Sequence, residues 1–203
     1  MLVKICGITT REAADAAVQS GADLIGFVFA DSKRNISPIE AEQIASALPS
    51  SVKKVGVFVN ETVNNVLEIA DTVGLDVIQL HGDEPPEMIE QLPYEVIKAI
   101  PAKPEHFNTI QDYVLADYFL VDSPYGQYRG GNGTTFDWDT LKNLPIDRSK
   151  LLLAGGLHPG NIQDAIQQVV PAGVDVSSGV ETEGRKDRKK IDAFIKQAKV
   201  QKG

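Results

Sequence analysis

The stretch LVKICGITTREAADAAVQSGADLIGFVF, residues 2–29, decides the fold class. Its two ends are short apolar runs, residues 2–6 and 24–29, which are typical of strands covered on both faces. Between them, residues 11–19 carry alanines at helical spacing, and Gly21 follows as a C-terminal stop. A strand, a helix and a second strand in this order predict a βαβ unit whose two strands are parallel.

The same alternation continues along the rest of the sequence. Further strands are predicted at residues 53–59, 76–80, 95–100, 118–122, 150–154 and 173–177. Helices are predicted at residues 37–48, 62–71, 86–91, 104–113, 138–143, 161–169 and 188–198. The second helix has Ser37 as its N-cap, Pro38 at its first helical position and Glu40 in its first turn. The chain therefore contains eight strand–helix units of roughly 25 residues each.

Eight such units permit closure into an α/β fold, the parallel eight-stranded (β/α)₈ TIM barrel. An open doubly wound sheet is the alternative, but that fold uses a G-x-G-x-x-G loop after its first strand. The residues at 6–9, CGIT, do not supply this loop. Because no linker, low-complexity tract or charge run divides the chain, residues 1–203 are predicted to form a single catalytic barrel domain.

Composition and charge narrow the classes of function. Hydrophobic residues make up 42% of the 203 residues and charged residues 24%, which is typical of a globular protein. A formal charge of −8 argues against nucleic acid or an anionic membrane as the main partner. No run approaches the roughly 18 apolar residues of a membrane-spanning helix, and the apolar run at the N-terminus is too short for a signal peptide.

The chain has one cysteine, Cys6. A single thiol excludes both an intrachain disulfide and a zinc cluster built from thiolates. A chain with one cysteine and no intrachain disulfide fits a reducing compartment, so a cytoplasmic location is expected.

Reactive side chains stand at the predicted carboxyl ends of the strands, where (β/α)₈ barrels place their active sites. The first strand ends in Cys6, His81 follows the fourth, the sixth ends in Asp122, and the eighth carries Asp175. Each has a structural alternative: a buried thiol, a structural hydrogen bond, a loop cap or a buried ion pair. If Cys6 faces the barrel mouth, side-chain alternation with period two places Lys4 in the lumen below it. Lys4 and Asp175 are then candidates for a buried ion pair across the neighbouring first and eighth strands.

Two further features of the loops suggest anion binding. Gly155 and Gly156 follow the seventh strand, and Ser178 and Gly179 follow the eighth, where many barrels bind a phosphate through backbone N–H groups. The alternative is that the glycines are ordinary turn residues. Arg34, in the loop after the second strand, is either a solvated surface charge or a bidentate ligand for a carboxylate.

Together these residues resemble the phosphoribosylanthranilate isomerase family of tryptophan biosynthesis. The shared motifs extend from the first strand to the last helix. They include KICGIT at residues 4–9, SKR at 32–34, QLHG at 79–82, GGNG at 130–133, AGGL at 154–157 and DVSSGVE at 175–181. Asn132, in the sixth loop, departs from the Ser or Thr that the family more often carries there.

The resemblance implies a (β/α)₈ barrel without cofactor or metal that acts on a small phosphosugar–anthranilate substrate, as a monomer or homodimer. The implied reaction is an Amadori rearrangement of N-(5-phosphoribosyl)anthranilate to 1-(2-carboxyphenylamino)-1-deoxyribulose 5-phosphate. It implies Cys6 as general base, Asp122 as general acid and Arg34 at the anthranilate end of the substrate.

The remaining site residues and the tuning of the acid and base are hypotheses. Gly155, Gly156, Ser178 and Gly179 are expected to hold the phosphate, and His81 and Asp175 to contact the ribose or the amine. Acid–base catalysis near neutral pH requires a carboxyl with a raised pKa and a thiol with a lowered one. We expect burial to raise the pKa of Asp122, and nearby positive charge, with Lys4 as its candidate source, to lower the pKa of Cys6.

The sequence disfavours two other functions. The histidine-pathway barrel that performs a parallel Amadori rearrangement typically has carboxylates at the ends of strands one and five and a second phosphate site. Here the first strand ends in Cys6, and the loop after the third lacks a matching glycine pair. A catalytically silent barrel that only binds a phosphorylated metabolite is disfavoured by the presence of both Cys6 and Asp122.

Overall fold

A computed structural model of the chain describes residues 1–123, 136–142 and 144–200. Its strands are β1 Leu2–Cys6, β2 Leu24–Val28, β3 Lys53–Phe58, β4 Val77–Leu80, β5 Glu95–Pro101, β6 Tyr118–Asp122, β7 Leu151–Leu153 and β8 Gly173–Val176. Each strand pairs in parallel with the next, and β8 pairs with β1, which closes the barrel. The predicted (β/α)₈ barrel is therefore confirmed, and the open doubly wound sheet is wrong.

Six α-helices surround the barrel in the described part of the chain. They are α1 Arg11–Ser20, α2 Pro38–Ala45, α3 Val63–Val73, α4 Pro104–Phe107, α5 Ile162–Val169 and α6 Arg188–Lys199. Short 3₁₀-helices occupy Pro86–Gln91, Asn108–Asp112, Trp138–Leu141, Arg148–Lys150 and Ser178–Val180.

Three of the predicted α-helices differ from the structure. The segments predicted at residues 86–91 and 138–143 are 3₁₀-helices, and the one at 104–113 is a single α-turn followed by a 3₁₀-helix. Segments of six to ten residues are too short to form stable α-helices through propensity alone, and residues 108–112 are mostly poor helix formers. Residue 143 lies outside the described residues.

The helix signals read from the sequence are present in the structure. The Ser37 hydroxyl accepts a hydrogen bond from the Glu40 backbone N–H, and the Glu40 carboxylate accepts one from the Ser37 backbone N–H, which forms a capping box. Gly21 ends α1 with φ 96°, a left-handed conformation that glycine adopts without a steric penalty.

The core has two layers, one inside the barrel and one between the strands and the helices. The inner layer contains Leu24, Val55, Val77, Ile97, Ala99, Leu120, Leu152 and Ala154. On alternate positions toward the carboxyl ends of the strands, polar side chains replace this apolar filling. Lys4 and Asp175 are register partners across the β1–β8 pairing, which allows the ion pair suggested for these neighbouring strands.

A small hairpin that the sequence did not reveal lies between β8 and α6. Its strands, β9 Glu181–Thr182 and β10 Arg185–Lys186, pair antiparallel. They are joined by Glu183 and Gly184, with φ 52° and 76°, a two-residue turn that needs left-handed backbone at both positions. Strands of two residues are too short to carry a periodic signal.

Within the described ranges, no helix has both the length and the apolar character needed to span a membrane. The GGNG motif at residues 130–133, with Asn132, lies outside the part of the chain that the structure describes.

Candidate active site

A cavity of about 520 Å³ opens at the carboxyl ends of the strands. Its lining includes five of the residues singled out in the sequence: Cys6, Arg34, His81, Asp122 and Asp175. They come from β1, the loop after β2, the end of β4, β6 and β8. The structure thus brings these five residues to one space, although 169 residues of sequence separate the first from the last.

Cys6 is 8% exposed and lines this cavity, so its thiol is neither solvated nor sealed in the core. A Cβ atom on Gly26 of β2 would lie 2.9 Å from the Cys6 sulfur and 3.2 Å from Lys4 Nζ. Glycine at this position therefore leaves room for the thiol and the ammonium group beside each other.

The pKa of Cys6 corrects one of our expectations. Burial raises it above the ordinary thiol value, and the positive charge of Lys4 opposes this increase without reversing it. The prediction that the pKa of Cys6 is lowered is wrong for the unliganded protein, because the loss of solvation outweighs the attraction of the neighbouring ammonium group.

Lys4 and Asp175 form the buried ion pair predicted from their register, with 2.8 Å between Lys4 Nζ and Asp175 Oδ1. Burial lowers the pKa of Lys4, but the charges of Asp175 and Cys6 raise it more, so the net pKa is above the ordinary value. Lys4 is therefore a permanent positive charge directly below the thiol.

Asp122 has the raised pKa expected of an acid. Burial and the neighbouring charge of Asp175 raise the pKa of Asp122 to about 6, although hydrogen bonds from Ser123 oppose the increase. The Ser123 backbone N–H donates to Asp122 Oδ1 at 2.8 Å. The predicted direction for this carboxyl agrees with the structure.

His81 faces the same carboxyl group, with 3.6 Å between its Nε2 and Asp122 Oδ2. Its Nδ1 lies 2.9 Å from the amide nitrogen of Gln79. Because an amide nitrogen donates, His81 Nδ1 is the acceptor in this contact, and Nε2 is the ring nitrogen that faces Asp122. Of the structural and functional alternatives for His81, the structure shows both a buried hydrogen bond and a place in the cavity.

A second, smaller pocket of about 30 Å³ adjoins the cavity and shares Asp122, Asp175 and Ser177 with it. All four residues predicted to hold the phosphate line it: Gly155, Gly156, Ser178 and Gly179. Gly155 and Gly156 have φ 85° and 60°, and a Cβ atom on Gly179 would lie 1.8 Å from the Leu157 carbonyl oxygen. The left-handed backbone at Gly155 and Gly156 favours glycine, and Gly179 has no room for a Cβ atom, so backbone rather than side chains forms much of the pocket wall.

Arg34 is not a solvated surface charge. Its side chain is 19% exposed, and its Nε and Nη2 donate to the two carboxylate oxygens of Glu181 at 2.7 and 2.9 Å. The stem of Arg34 crosses Gly7, where a Cβ atom would approach Arg34 Cδ to 2.4 Å. Glu181 itself is partly buried; burial raises its pKa, but Arg34 and Lys186 lower it to below the ordinary value.

Sequence reasoning missed the partners that hold these residues. Lys186 and Glu181 stand in the unpredicted hairpin, so no signal placed them beside Arg34. A buried Lys98–Glu84 pair, 2.7 Å apart, also went unnoticed; both residues hydrogen-bond to the backbone of Gly82, next to His81. A lysine inside the apolar run at residues 95–101 was the one available signal for this pair.

The structure is a closed (β/α)₈ barrel with a thiol, a carboxyl of raised pKa and a glycine-lined pocket at its mouth. These features are typical of the class of (β/α)₈-barrel enzymes. Comparison with known proteins defines the family. The family model of N-(5′-phosphoribosyl)anthranilate (PRA) isomerase matches residues 3–197. The chain therefore belongs to the N-(5′-phosphoribosyl)anthranilate isomerase family.

Curated relatives and solved structures agree with this assignment. The N-(5′-phosphoribosyl)anthranilate isomerase of Oceanobacillus iheyensis is 55% identical over 196 residues, 96% of this chain and 95% of the relative. That of Bacillus cereus is 51% identical over 199 residues, 97% of this chain and 98% of the relative. The crystal structure of phosphoribosyl anthranilate isomerase from Thermotoga maritima is 44% identical with a TM-score of 0.88, covering 98% of this chain and 99% of that chain.

One similar structure is a complex. It is a phosphoribosyl anthranilate isomerase bound to reduced 1-(o-carboxyphenylamino)-1-deoxyribulose 5-phosphate, 43% identical with a TM-score of 0.85. The alignment covers 98% of this chain and 98% of that chain.

Proposed function

We propose that the chain isomerises N-(5′-phosphoribosyl)anthranilate by general acid–base catalysis, with Cys6 as the base and Asp122 as the acid. The isomerase role in tryptophan biosynthesis follows from membership of the family. One observation carries the assignment of the two residues: a thiol from β1 and a carboxyl from β6, whose pKa is raised to about 6, line the same cavity.

The reaction needs one proton donor and one proton acceptor. Asp122 protonates the ring oxygen of the ribose while the anilino nitrogen forms a double bond to C1, so the C1–O bond breaks and an iminium ion forms. The Cys6 thiolate then removes the proton from C2, and the electron pair of that bond neutralises the iminium to give an enolamine. Proton transfer to C1 and loss of the enol proton yield the ketone at C2.

The charges around the cavity favour these steps. Lys4 lies beside the sulfur and stabilises its thiolate form, while Asp175 balances the Lys4 charge. The positive iminium that forms in the first step adds a second attraction for the thiolate. The pKa of Cys6, raised in the unliganded protein, is therefore lowered when the intermediate is present.

The two anionic ends of the substrate have separate sites in this proposal. The phosphate is held in the pocket of Gly155, Gly156, Ser178 and Gly179 through backbone N–H groups. The anthranilate carboxylate binds Arg34, whose Nη1 retains two N–H donors after the pair with Glu181 forms. His81 and Asp175 contact the ribose or the amine from the cavity wall.

The organisation of the enzyme is also part of the proposal. Residues 1–203 act as one catalytic domain, supported by the closure of the barrel between its first and last strands. A monomer or homodimer is expected, since one similar structure is of monomers generated from the dimeric phosphoribosylanthranilate isomerase of Thermotoga maritima. A cytoplasmic location fits the free thiol of Cys6.

Single variants test the two roles. Cys6→Ser and Asp122→Asn are each expected to lower kcat/KM at least about a hundredfold, because each removes a proton-transfer group. Turnover is followed by the loss of anthranilate fluorescence with freshly generated substrate. Asp112→Asn, a similar change on the surface, is the matched control. Activity within about twofold of the unmodified chain in either catalytic variant rejects that assignment.

The unmodified chain itself tests the alternative function. Binding of the substrate without turnover would favour the catalytically silent barrel that only binds a phosphorylated metabolite.

A further inference from the structure

The hairpin of β9 and β10 connects Arg34 to the end of β1 through hydrogen bonds. Glu181 holds Arg34 through two hydrogen bonds of 2.7 and 2.9 Å, one to each carboxylate oxygen. Lys186 donates to the same Glu181 carboxylate at 2.6 Å and to the Ser177 carbonyl oxygen at 3.0 Å. The Ser177 hydroxyl donates to the Cys6 carbonyl oxygen at 3.0 Å. One continuous network therefore joins the arginine of the cavity to the backbone of the thiol residue.

This network restricts the orientation of Arg34. Two hydrogen bonds to one carboxylate fix the plane of a guanidinium group, which a single contact does not. The stem of the side chain is also confined, because it crosses Gly7 at a distance that leaves no room for a Cβ atom. A free arginine would lose much of its rotamer entropy on binding a ligand, and here that freedom is already restricted.

The charges of the network do not cancel. Arg34 and Lys186 are cationic and Glu181 is anionic, so the network keeps one positive charge. Without Lys186, the Glu181 carboxylate would neutralise Arg34 and weaken its attraction for an anion. Lys186 has a side chain only 5% exposed, so water screens its charge weakly.

We propose that Glu181 and Lys186 are positioning residues for recognition of the substrate carboxylate. Glu181 orients the Arg34 guanidinium, and Lys186 offsets the negative charge of Glu181, so that a net positive charge remains beside the carboxylate. This inference rests on the proposed role of Arg34 as the ligand of the anthranilate carboxylate. Neither Glu181 nor Lys186 transfers a proton in the reaction.

The test compares two ligands that differ only in that carboxylate. The first is reduced 1-(o-carboxyphenylamino)-1-deoxyribulose 5-phosphate, and the second is the same compound without the ring carboxylate. Titration calorimetry measures the Kd of both for Glu181→Gln and Lys186→Met. Each variant is expected to weaken binding of the first ligand about tenfold and to change binding of the second by less than about twofold. Glu183→Gln and Lys189→Met, the same changes at exposed neighbours, are expected to bind both ligands like the unmodified chain.

The Arg34→Ala background separates positioning from scaffolding. If Glu181 and Lys186 act through Arg34, neither substitution weakens binding of the carboxylate ligand further once Arg34 is gone. A loss that persists in this background, or an equal loss for both ligands, overturns the inference. Glu181→Asp, which keeps the charge, is measured alongside and is expected to retain more affinity than Glu181→Gln. If Glu181→Gln does not fold by circular dichroism, the comparison of Lys186→Met with Glu181→Asp decides.

Failure of the underlying function gives a different result. If Arg34→Ala binds both ligands as tightly as the unmodified chain, Arg34 is not the carboxylate ligand, and the proposed function is wrong at that point. If Arg34→Ala loses affinity for the first ligand only while Glu181→Gln and Lys186→Met lose none, only the positioning inference fails.

Discussion

The raised pKa values of Cys6 and Asp122 have opposite effects on the proposed mechanism. A retained proton suits Asp122 as the acid but hinders Cys6 as the base. Burial raises the pKa of both groups, to about 6 for Asp122 and to above the ordinary thiol value for Cys6. The active form in the proposed mechanism has a protonated carboxyl and an ionised thiol, so it is a minor species at every pH in the unliganded protein. Its population depends on the two pKa values together.

This ordering of pKa values predicts the pH dependence of kcat/KM. The rate should rise with pH up to about 6, where Asp122 begins to lose its proton, and then stay level until Cys6 ionises. Above the pKa of Cys6 it should fall. A steady-state profile between about pH 4.5 and 10 measures the rise and the level region that follows it.

A control separates Asp122 from the phosphate of the substrate, which titrates in the same range. The backbone N–H and the hydroxyl of Ser123 both donate to Asp122 and lower its pKa. Ser123→Ala removes the hydroxyl hydrogen bond alone, so it should move the acidic limb to higher pH. A limb that stays in place in this variant belongs to the substrate and contradicts the assignment.

The buried acid also has a cost in stability. Raising the pKa of Asp122 from 3.8 when unfolded to about 6 when folded means that the folded state retains its proton over this range. The free energy of unfolding therefore falls as pH rises from about 4 to 6 and stays lower above that, by about 3 kcal/mol. Asp122→Asn, which cannot ionise, should be more stable than the unmodified chain by up to this amount at pH 8.

Urea unfolding at two pH values checks this expectation. The gain from Asp122→Asn should shrink toward zero near pH 4, where the carboxyl is protonated in both states. Asp112→Asn, on the surface, should show no gain at either pH. Equal stability of Asp122→Asn and the unmodified chain at pH 8 would show that the buried carboxylate is not destabilising.

At the scale of the elements, one helix ends in a residue that is poorly suited to the backbone conformation at that position. Helices α1 and α3 end in the left-handed residues Gly21 and Gly74, but α5 ends in Val170 with φ 51° and ψ 54°. Valine is branched at Cβ, and the left-handed conformation costs a non-glycine residue about 1–2 kcal/mol. Val170 is 65% exposed, so little packing offsets that cost.

Val170→Gly is therefore expected to stabilise the protein by about 1 kcal/mol, because the relief of backbone strain exceeds the entropy that glycine adds to the unfolded chain. Chemical denaturation measures the gain. Val200→Gly is the matched control: Val200 ends α6 and is also exposed, but its φ of −66° is unstrained. That substitution should give no gain, and a similar effect of both would contradict the strain argument.

The elements differ in how far they can be predicted. Strands and long helices can be predicted from the spacing of their apolar residues, because a strand or helix that buries one face needs apolar side chains at regular intervals. Asp23 and Asp117 read as loop residues and Asp76 as the first residue of a strand. The carboxylates of all three accept backbone hydrogen bonds, from Val3, Val96 and Lys54 respectively, on the preceding strands. Their role depends on the pairing of strands, which no local window contains.

At the scale of the whole molecule, barrel closure assembles the site from distant parts of the sequence. Because the carboxyl ends of parallel strands meet at one rim, Cys6 and Asp122 could be assigned to one mouth before their contacts were known. The Lys4–Asp175 pair followed from alternation once β1 and β8 were taken as neighbours. The pair of Arg34 and Glu181, 147 residues apart, could not be predicted, because it depends on a hairpin with no periodic signal.

The proposed ligand sites lie on several strands, so binding should stabilise the barrel as a unit. A ligand present at about 100 times its Kd adds about 2.7 kcal/mol to the free energy of unfolding, which raises Tm by roughly 5–10 °C for a chain of this length. The carboxylate-bearing product analogue described above is expected to give this shift in a thermal melt.

A variant of the phosphate pocket is the control for that melt. Gly179→Val places side-chain atoms on the Leu157 carbonyl oxygen, so it should lose most of the shift while the ligand concentration stays the same. An unchanged shift in this variant would show that the phosphate binds elsewhere.

The connection from β8 to α6 has a consequence for substrate length. Ser178 and Gly179, proposed to hold the phosphate, are separated by a single residue from Glu181, which orients the arginine for the carboxylate. One short segment therefore sets the span between the two anions that a ligand must bridge. Phosphorylated compounds with a longer or shorter spacer should be rejected, and inserting or deleting a residue here is the direct way to accept them.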